Sequence, residues 1–279
     1  MRPRFHWLFI VYALTSTVSF LQLKADDSDD YRLLEDIPYA QDPHPRQKLD
    51  LYFPTGAKGF PTVVWFHGGG LRAGSKSIPE LFKNQGFAVA AANYRLFPEA
   101  KSPEYIEDAA SAVAWVFENI SRHGGDSNSI FVAGHSAGGY LTSMVGFDKS
   151  YLAAHGVDAD NIAGLFPFSG HTITHFTPRE ERQIPNTRPI IDSLAPLYHT
   201  RMDAPPVVLL TGDRELEMLG RYEENAYFWR MLEVVGHPNA ELIELEGFNH
   251  GEMAKPASLI VVKRMKQRIN SINASQKLK

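Results

Sequence analysis

The strongest chemical signal in the sequence is a serine flanked by glycines, in residues 134–138 (Gly-His-Ser-Ala-Gly). The segment fits Gly-x-Ser-x-Gly, follows the β-rich run 130–133, and precedes a helical pattern. A strand, a sharp turn and a helix raise a serine hydroxyl above a sheet, and the glycines avoid collisions with neighbouring backbone. The amino terminus of the helix also favours negative charge near the serine. This arrangement predicts that Ser136 is a nucleophile.

A glycine run supplies candidate partners for this nucleophile. Residues 67–70 (His-Gly-Gly-Gly) directly follow an apolar, β-rich run. Attack of a serine on a carbonyl carbon places negative charge on the carbonyl oxygen, which main-chain N–H groups can approach where side chains are absent. We expect the N–H groups of Gly69, Gly70 and Ala137 to form such an oxyanion hole, and Gly68 is a further candidate. The alternatives are an ordinary glycine-rich turn and a phosphate-binding loop, but residues 74–77 (Gly-Ser-Lys-Ser) break the Gly-Lys-Ser order that a phosphate-binding loop needs.

A histidine suited to act as the base follows the last predicted strand. His250 stands in residues 248–251 (Phe-Asn-His-Gly), just after the strand predicted at 240–245. From there it could reach Ser136 at the carboxyl edge of a sheet and act first as general base, then as general acid. His250 stands out among the 11 histidines because the chain order Ser, acid, His requires one here.

The acid that would orient this histidine has two candidates. Asp213 and Glu215 both lie just past the strand predicted at 206–211. Either carboxylate could hold the imidazole by its second nitrogen. We expect Glu215, because a residue three beyond Gly212 has left the strand and can turn across the edge of the sheet. Asp213 is the reserve candidate.

The elements that must position these residues alternate between short apolar runs and helical patterns. This order is typical of an α/β fold in which parallel strands are joined by crossover helices. Several apolar runs are continuous, as in strands covered on both faces. We therefore predict a mostly parallel central sheet flanked by helices on both faces. Strands are predicted at 48–53, 62–66, 87–92, 130–134, 162–168, 206–211 and 240–245, and helices at 78–85, 103–120, 137–146, 221–235 and 257–269.

Residues 168–194 break this alternation. They are rich in Thr, Pro, Arg and His without clear periodicity, where such a fold needs only a short crossing. We predict a small irregular cap or lid over the site, although an ordinary long surface loop fits the pattern equally well. His171 and His175 could share a metal on a helix, but no convincing third ligand is near and the Thr-Ile-Thr between them disfavours a helix. No metal site is predicted.

Composition limits the classes of partner and cofactor. The chain has 279 residues, 44% of them hydrophobic, which suffices for one large domain. With 28 basic and 32 acidic residues it carries a net charge of -4, so we expect no nucleic-acid partner. The absence of cysteine excludes a thiol nucleophile and thiolate metal sites. The predicted chemistry needs neither a metal nor an organic cofactor.

The first 25 residues differ in composition from the rest of the chain. Arg2 and Arg4 precede a mostly apolar stretch at 7–23, and an Asp-rich stretch begins at Asp26. This layout predicts a secretory signal peptide cut near Ala25, followed by one domain at 26–279. The apolar stretch includes several polar residues and falls short of the ~20 apolar residues that a spanning helix prefers. We therefore expect a secreted or periplasmic protein with no stable membrane anchor after cleavage.

Taken together, the motifs resemble two related groups of the α/β-hydrolase superfamily: the hormone-sensitive-lipase-like esterases and the bacterial feruloyl or acetyl xylan esterase-like enzymes. The resemblance runs from residues 49–52 to 249–251. It rests on residues 67–70, 93–96, 98–99, Asp108, 134–139, 205–206 and the His-Gly pair at 250–251. It implies the α/β-hydrolase fold and again selects Glu215, although the family more often has Asp there. It also implies that Arg95 and Asp108 are buried structural partners.

The resemblance implies a lipase-like serine carboxylesterase that hydrolyses small or medium carboxylic esters through an acyl-enzyme intermediate. Its partner would be a small-molecule ester, contacted by Leu71, His135, Phe168 and His171. At position 71 relatives tend to have an aromatic residue. An arylformamidase-like amide hydrolase could use the same triad. A non-catalytic binding protein on this fold would lack part of the machinery, whereas every part is present here.

Overall fold

A central sheet of eight strands organises the computed structural model, which describes residues 30–41 and 43–277. The predicted signal peptide, residues 1–25, lies outside the described residues. The strands are β1 (Tyr31–Pro38), β2 (Lys48–Pro54), β3 (Phe60–Phe66), β4 (Ala88–Ala92), β5 (Gly125–His135), β6 (Gly164–Phe168), β7 (Val207–Gly212) and β8 (Ala240–Leu245).

Six α-helices accompany the sheet in the described part of the chain. They are α1 (Glu104–Asn119), α2 (Ala137–Phe147), α3 (Lys149–Ala153), α4 (Phe176–Glu181), α5 (Arg221–Val234) and α6 (Ala254–Lys277). None of the helices described is both long and apolar enough to cross a bilayer.

The sheet is mostly parallel. Its strand order is β1-β2-β4-β3-β5-β6-β7-β8. The strand β2 pairs antiparallel with both of its neighbours, β1 and β4, and all other pairs are parallel. The carboxyl ends of the parallel strands therefore meet at one edge, where ligands bind in open α/β sheets. The predicted fold class is confirmed.

Both faces of the sheet are covered by apolar side chains. On β3, Val64 belongs to the cluster that includes side chains of α1, α2 and α5, and its neighbour Val63 belongs to the cluster on the α6 side. Successive residues of a strand point to opposite faces, so a strand buried on both sides must be continuously apolar. This explains why β3 could be recognised in the sequence.

Several elements differ from the sequence prediction, among them the short helix α3, which was not predicted. The edge strand β1 was not predicted, because its burial does not alternate from one residue to the next and three of its five exposed positions are charged, as is common at sheet edges. The helix predicted at 78–85 is only a 3-10 turn at Glu80–Phe82, because Lys83 is extended and Asn84 has a φ of 57°. The segment 168–194 was predicted to be irregular but contains α4.

Candidate active site

Ser136 occupies the turn between β5 and α2, at the carboxyl edge of the sheet. Its φ is 56°, a left-handed conformation that costs a non-glycine residue free energy. The turn is held by the Ser136 N–H, which donates to the Phe168 carbonyl at 2.8 Å. A Cβ on Gly138 would lie 2.0 Å from the Phe66 carbonyl oxygen, so only glycine lets the new helix pack this close to β3. The local sequence thus forces the serine hydroxyl outward.

His250 stands in the loop after β8 and reaches the serine. Its Nε2 lies 2.9 Å from Ser136 Oγ. The main chain of this loop is fixed by His135, whose Nε2 donates to the His250 carbonyl at 2.8 Å. Burial lowers the pKa of His135 to about 4, so this ring is neutral near pH 7. His135, predicted to contact substrate, instead supports the loop that carries His250.

The carboxylate at the second nitrogen of His250 belongs to Glu217. Its Oε2 lies 2.8 Å from His250 Nδ1, and its side chain is 1% exposed. The prediction of Glu215 is wrong, since that residue is exposed. The reserve choice of Asp213 is wrong as well. Asp213 accepts hydrogen bonds from the N–H groups of Glu215 and Gly247, so it joins this turn to the loop after β8.

The turn after β7 explains why Glu217 takes this place. The Glu217 N–H donates to the Asp213 carbonyl at 2.8 Å, which closes one helical turn. Such a turn brings the chain back above its starting point after about 3.6 residues. The side chain of Glu217 therefore returns over the strand end, where Oε1 accepts from the Gly212 N–H at 2.9 Å. Glu215 is halfway round the turn and faces solvent. A helical interpretation of residues 213–217 would have identified Glu217.

The carboxylate of Glu217 is surrounded by donors. Oε2 accepts from His250 and from the Met218 N–H at 3.0 Å, and Oε1 accepts from Gly212 and from the Ser169 hydroxyl. Burial raises the pKa of this carboxyl, but the hydrogen bonds from His250, Ser169 and Gly212 outweigh burial and lower the pKa to about 2. Glu217 is therefore ionised at neutral pH.

Residues 67–70, which we call the glycine loop, lie against the nucleophile. A Cβ on Gly68 would be 3.3 Å from Ser136 Cβ. Gly69 has a φ of 112°, and a Cβ there would be 2.1 Å from the Ala73 carbonyl oxygen. His67 anchors the loop: its ring stacks on Tyr94 at 4.5 Å, and its Nδ1 is 2.6 Å from the Gly68 carbonyl oxygen. Burial lowers the pKa of His67 to about 4.

Among the described residues, no acceptor is present for the N–H groups of Gly69, Gly70 and Ala137, nor for that of Gly68, the further candidate. They are the groups expected from the sequence to form an oxyanion hole. Residues 168–194, which we call the cap segment, contact the same loop, because Thr177 Oγ1 on α4 donates to the Gly70 carbonyl at 2.6 Å. An ion pair between Arg72 and Glu180 adds a second link to α4. The helix α4 thus contacts the glycine loop at Gly70 and the chain just after the loop at Arg72.

The other predicted substrate contacts need correction. Leu71 and Phe168 are completely buried, and Phe168 packs against Trp65 at 5.4 Å between ring centroids. His171 is 1% exposed and packs on Phe176 at 4.2 Å inside the cap segment. Leu71 and Phe168 belong to the apolar core clusters, whereas His171 has its Nδ1 2.7 Å from Oε1 of the buried Glu224. None of the three presents a surface to a ligand in this conformation.

Two polar clusters away from the triad have structural partners. Arg95 pairs with buried Asp108 at 2.8 Å and with Glu104 at 2.6 Å. His175 Nδ1 accepts from the Thr177 N–H and so caps α4. Within residues 30–41 and 43–277, no group of three or more acidic, His or Cys side chains is arranged to hold a metal ion.

The parallel sheet, the strained serine turn and the aligned Ser136, His250 and Glu217 define an α/β-hydrolase fold with a serine-hydrolase-like site. The family model described as BD-FAE matches residues 49–163. Esterase LipC from Mycobacterium tuberculosis is 28% identical over 77% of this chain and 59% of its own length. Isoprenylcysteine alpha-carbonyl methylesterase ICME from Arabidopsis thaliana is 26% identical over 87% of this chain and 62% of its own length.

Solved structures show the same fold. Esterase B from Lactobacillus rhamnosis superposes with a TM-score of 0.72 at 19% identity, over 90% of both chains. The resemblance to α/β-hydrolase carboxylesterases, with the feruloyl and acetyl xylan esterase-like group among them, is confirmed. The chain spans about three fifths of the lengths of the two curated relatives.

Proposed function

We propose that this protein is a serine carboxylesterase. The observation that carries the proposal is the continuous line of contacts from Ser136 Oγ to His250 Nε2 at 2.9 Å, and from His250 Nδ1 to Glu217 at 2.8 Å. Distances in this range allow proton transfer between the hydroxyl and the imidazole. A buried, ionised carboxylate at the second nitrogen stabilises the imidazolium that forms.

The reaction follows from these positions. Ser136 attacks the ester carbonyl while His250 takes its proton, and the N–H groups of Gly69, Gly70 and Ala137 donate to the developing oxyanion. One such donor is worth on the order of a hundredfold in rate or more. His250 then gives the proton to the leaving alcohol, and water releases the acid by the same steps in reverse order. Glu217 stays ionised throughout and orients the imidazole.

Support for esters over formamides comes from the relatives, which are esterases by name. The arylformamidase alternative has no such support from the named relatives and is tested by the substrate panel below. A non-catalytic binding role is also disfavoured, because a scaffold without activity has no need to maintain the positive φ of Ser136 and the saturated carboxylate of Glu217. We propose small or medium carboxylic esters as substrates.

A fluorophosphonate probe tests the nucleophile. We expect labelling at Ser136 in the wild type and none in Ser136→Ala, which should also lose hydrolysis of a short aryl ester with little change in thermal unfolding. Ser143→Ala is a matched control, since Ser143 is 1% exposed and its hydroxyl has no partner within the described residues. Persistent hydrolysis in Ser136→Ala would show that another residue is the nucleophile.

Substrate range is tested by a panel. We propose a comparison of acyl esters of increasing chain length with acetylated sugars, feruloyl esters and an N-formyl arylamine. Turnover of the esters with no turnover of the formamide is expected. Preference for the formamide would replace the esterase proposal by an amide hydrolase.

We also propose that the protein is exported, with residues 1–25 as the signal peptide. The support is the order of a basic start, an apolar stretch and a small residue at Ala25. Fractionation of cells expressing the full chain, with amino-terminal sequencing of the product, tests this. A cytoplasmic product that still begins at Met1 would contradict it.

A further inference from the structure

Ser169, the first residue after β6, contacts two members of the proposed triad. It is fully buried. Its Oγ donates to Glu217 Oε1 and lies 3.1 Å from His250 Nδ1. No motif of the sequence marks Ser169. It follows Phe168 and lies at the same sheet edge as Ser136.

The main chain of Ser169 is held on both sides. Its N–H donates to the Leu210 carbonyl of β7 at 2.6 Å, and its carbonyl accepts from a guanidinium N–H of Arg221 on α5. Arg221 is itself buried and pairs with Glu224 at 2.9 Å. The φ of Ser169 is 47°, a conformation that a side-chain residue keeps only when its surroundings impose it. The hydroxyl therefore has little freedom to move away from the carboxylate.

Hydrogen-bond directions follow from the donors and acceptors present. His250 can accept the proton of Ser136 at Nε2 only if the proton of the neutral ring is on Nδ1. That Nδ1–H faces Glu217 Oε2 at 2.8 Å and Ser169 Oγ at 3.1 Å. Because the Ser169 hydroxyl donates its own proton to Glu217 Oε1, its lone pairs face the imidazole and can accept from Nδ1–H.

The other tautomer is disfavoured at the same place. A bare Nδ1 would face the carboxylate, lone pair against negative charge, and the Nε2–H would point at the oxygen that must give up its proton. The Ser169 hydroxyl could then donate to Nδ1 only by turning its O–H away from Glu217, which would lose that hydrogen bond. Two acceptors fixed in position thus favour one protonation pattern of the ring.

We propose that Ser169 is a positioning residue that acts with Glu217 to hold His250 in the Nδ1-protonated tautomer. The proposal rests on the proposed esterase function. Ser169 touches no substrate in it, and acts only through Glu217 and His250.

Kinetics of two variants give the first test. Ser169→Ala and Ser169→Gly both remove the hydroxyl, and glycine also removes the backbone strain. Hydrogen bonds to charged groups are worth enough for a loss in kcat of roughly ten- to a hundredfold. We expect both variants to show it, with KM for a short aryl ester unchanged within about twofold. Ser143→Ala, which removes a buried but unpartnered hydroxyl, should keep the wild-type kcat.

A spectroscopic measurement separates positioning from a merely structural role. Nitrogen-15 spectra of histidine-labelled protein, with the His250 signals assigned by difference against His250→Gln, report which ring nitrogen carries the proton. We expect Nδ1 to be protonated in the wild type and in Ser143→Ala, and a mixture of tautomers in both Ser169 variants.

Three results would contradict either the positioning role of Ser169 or the proposed esterase function. Full kcat in the folded Ser169 variants overturns the positioning role, and so does a loss of kcat without any change of tautomer. If the wild-type protein hydrolyses no ester and takes no fluorophosphonate, the proposed function fails instead. The tautomer of His250 can still be read in that case, so the two failures are distinguishable.

Discussion

Exchange of Glu217 for glutamine removes one charge at the position that distinguishes the structure from the sequence prediction. Every group that contacts the two carboxylate oxygens of Glu217 acts as a hydrogen-bond donor: His250 and Met218 donate to Oε2, and Gly212 and Ser169 donate to Oε1. A glutamine must place its NH2 group at one of these two positions. Whichever position it takes, donors face donors. Glu217→Gln therefore disturbs the site in either orientation of the amide.

The size of the effect follows from the protonation of His250. With NH2 facing Nδ1, the imidazole must release that proton and carry it on Nε2, where it opposes proton transfer from Ser136. The corresponding acid-to-amide change in a Ser-His-Asp triad lowers kcat by about 10⁴. Since each tenfold is about 1.4 kcal/mol, we expect a loss of about 10³ to 10⁴, or roughly 4 to 5.5 kcal/mol of transition-state stabilisation.

The matched control is Glu215→Gln, the same exchange two residues away on an exposed side chain. Steady-state hydrolysis of a short aryl ester should leave this control within about twofold of the wild type. Circular dichroism and thermal unfolding must show that both variants are folded. The reasoning is refuted if Glu217→Gln keeps more than about a tenth of the wild-type kcat, or if Glu215→Gln loses as much activity as Glu217→Gln.

Further predictions concern acid stability, the cap contact and the glycine loop. The pKa of Glu217 is lowered to about 2 from an ordinary 4.5, so its ionised form stabilises the fold above about pH 4.5, and this contribution is lost as the pH falls toward 2. Urea unfolding should therefore show a free-energy gap between wild type and Glu217→Gln that shrinks by up to about 3 kcal/mol on acidification; a constant gap would contradict it. Thr177→Val removes the hydrogen bond to the Gly70 carbonyl and should lower kcat by about three- to tenfold. The control Thr62→Val, at a buried hydroxyl that has no partner among the described residues, should not lower kcat, and equal kcat values in the two variants would argue against a role for the cap. Gly69→Ala places a Cβ 2.1 Å from a carbonyl oxygen at a φ of 112° and should abolish activity or folding, whereas Gly56→Ala has open space; a fully active Gly69→Ala would show that the loop relaxes freely.

The nucleophile and its surroundings could be predicted because their signals are local. A strand, a serine between glycines and a helix follow one another within one short segment, and the glycines are needed by contacts such as that of Gly138 with Phe66. His250 followed from chain order once Ser136 was placed. The sheet followed from apolar runs that are buried on both faces.

The acid could not be assigned by the same means. Asp213, Glu215 and Glu217 lie within five residues, and which of them faces His250 depends on whether the chain after β7 stays extended or turns helically. The expectation that a residue three beyond Gly212 turns across the edge of the sheet favoured Glu215. The hydrogen bond from Glu217 to the Asp213 carbonyl makes the turn helical and brings Glu217 over Gly212.

The sequence by itself determined the fold class, the serine turn and the identity of the histidine, because each depends on residue types that are close in the chain or repeat with a fixed period. Only the tertiary structure decided which carboxylate meets the imidazole, that His135 supports a loop rather than a substrate, and that Ser169 lies behind the triad. Those contacts join residues between 33 and 115 positions apart. Their geometry is set by how the strand ends meet at one edge of the sheet, which no local pattern encodes.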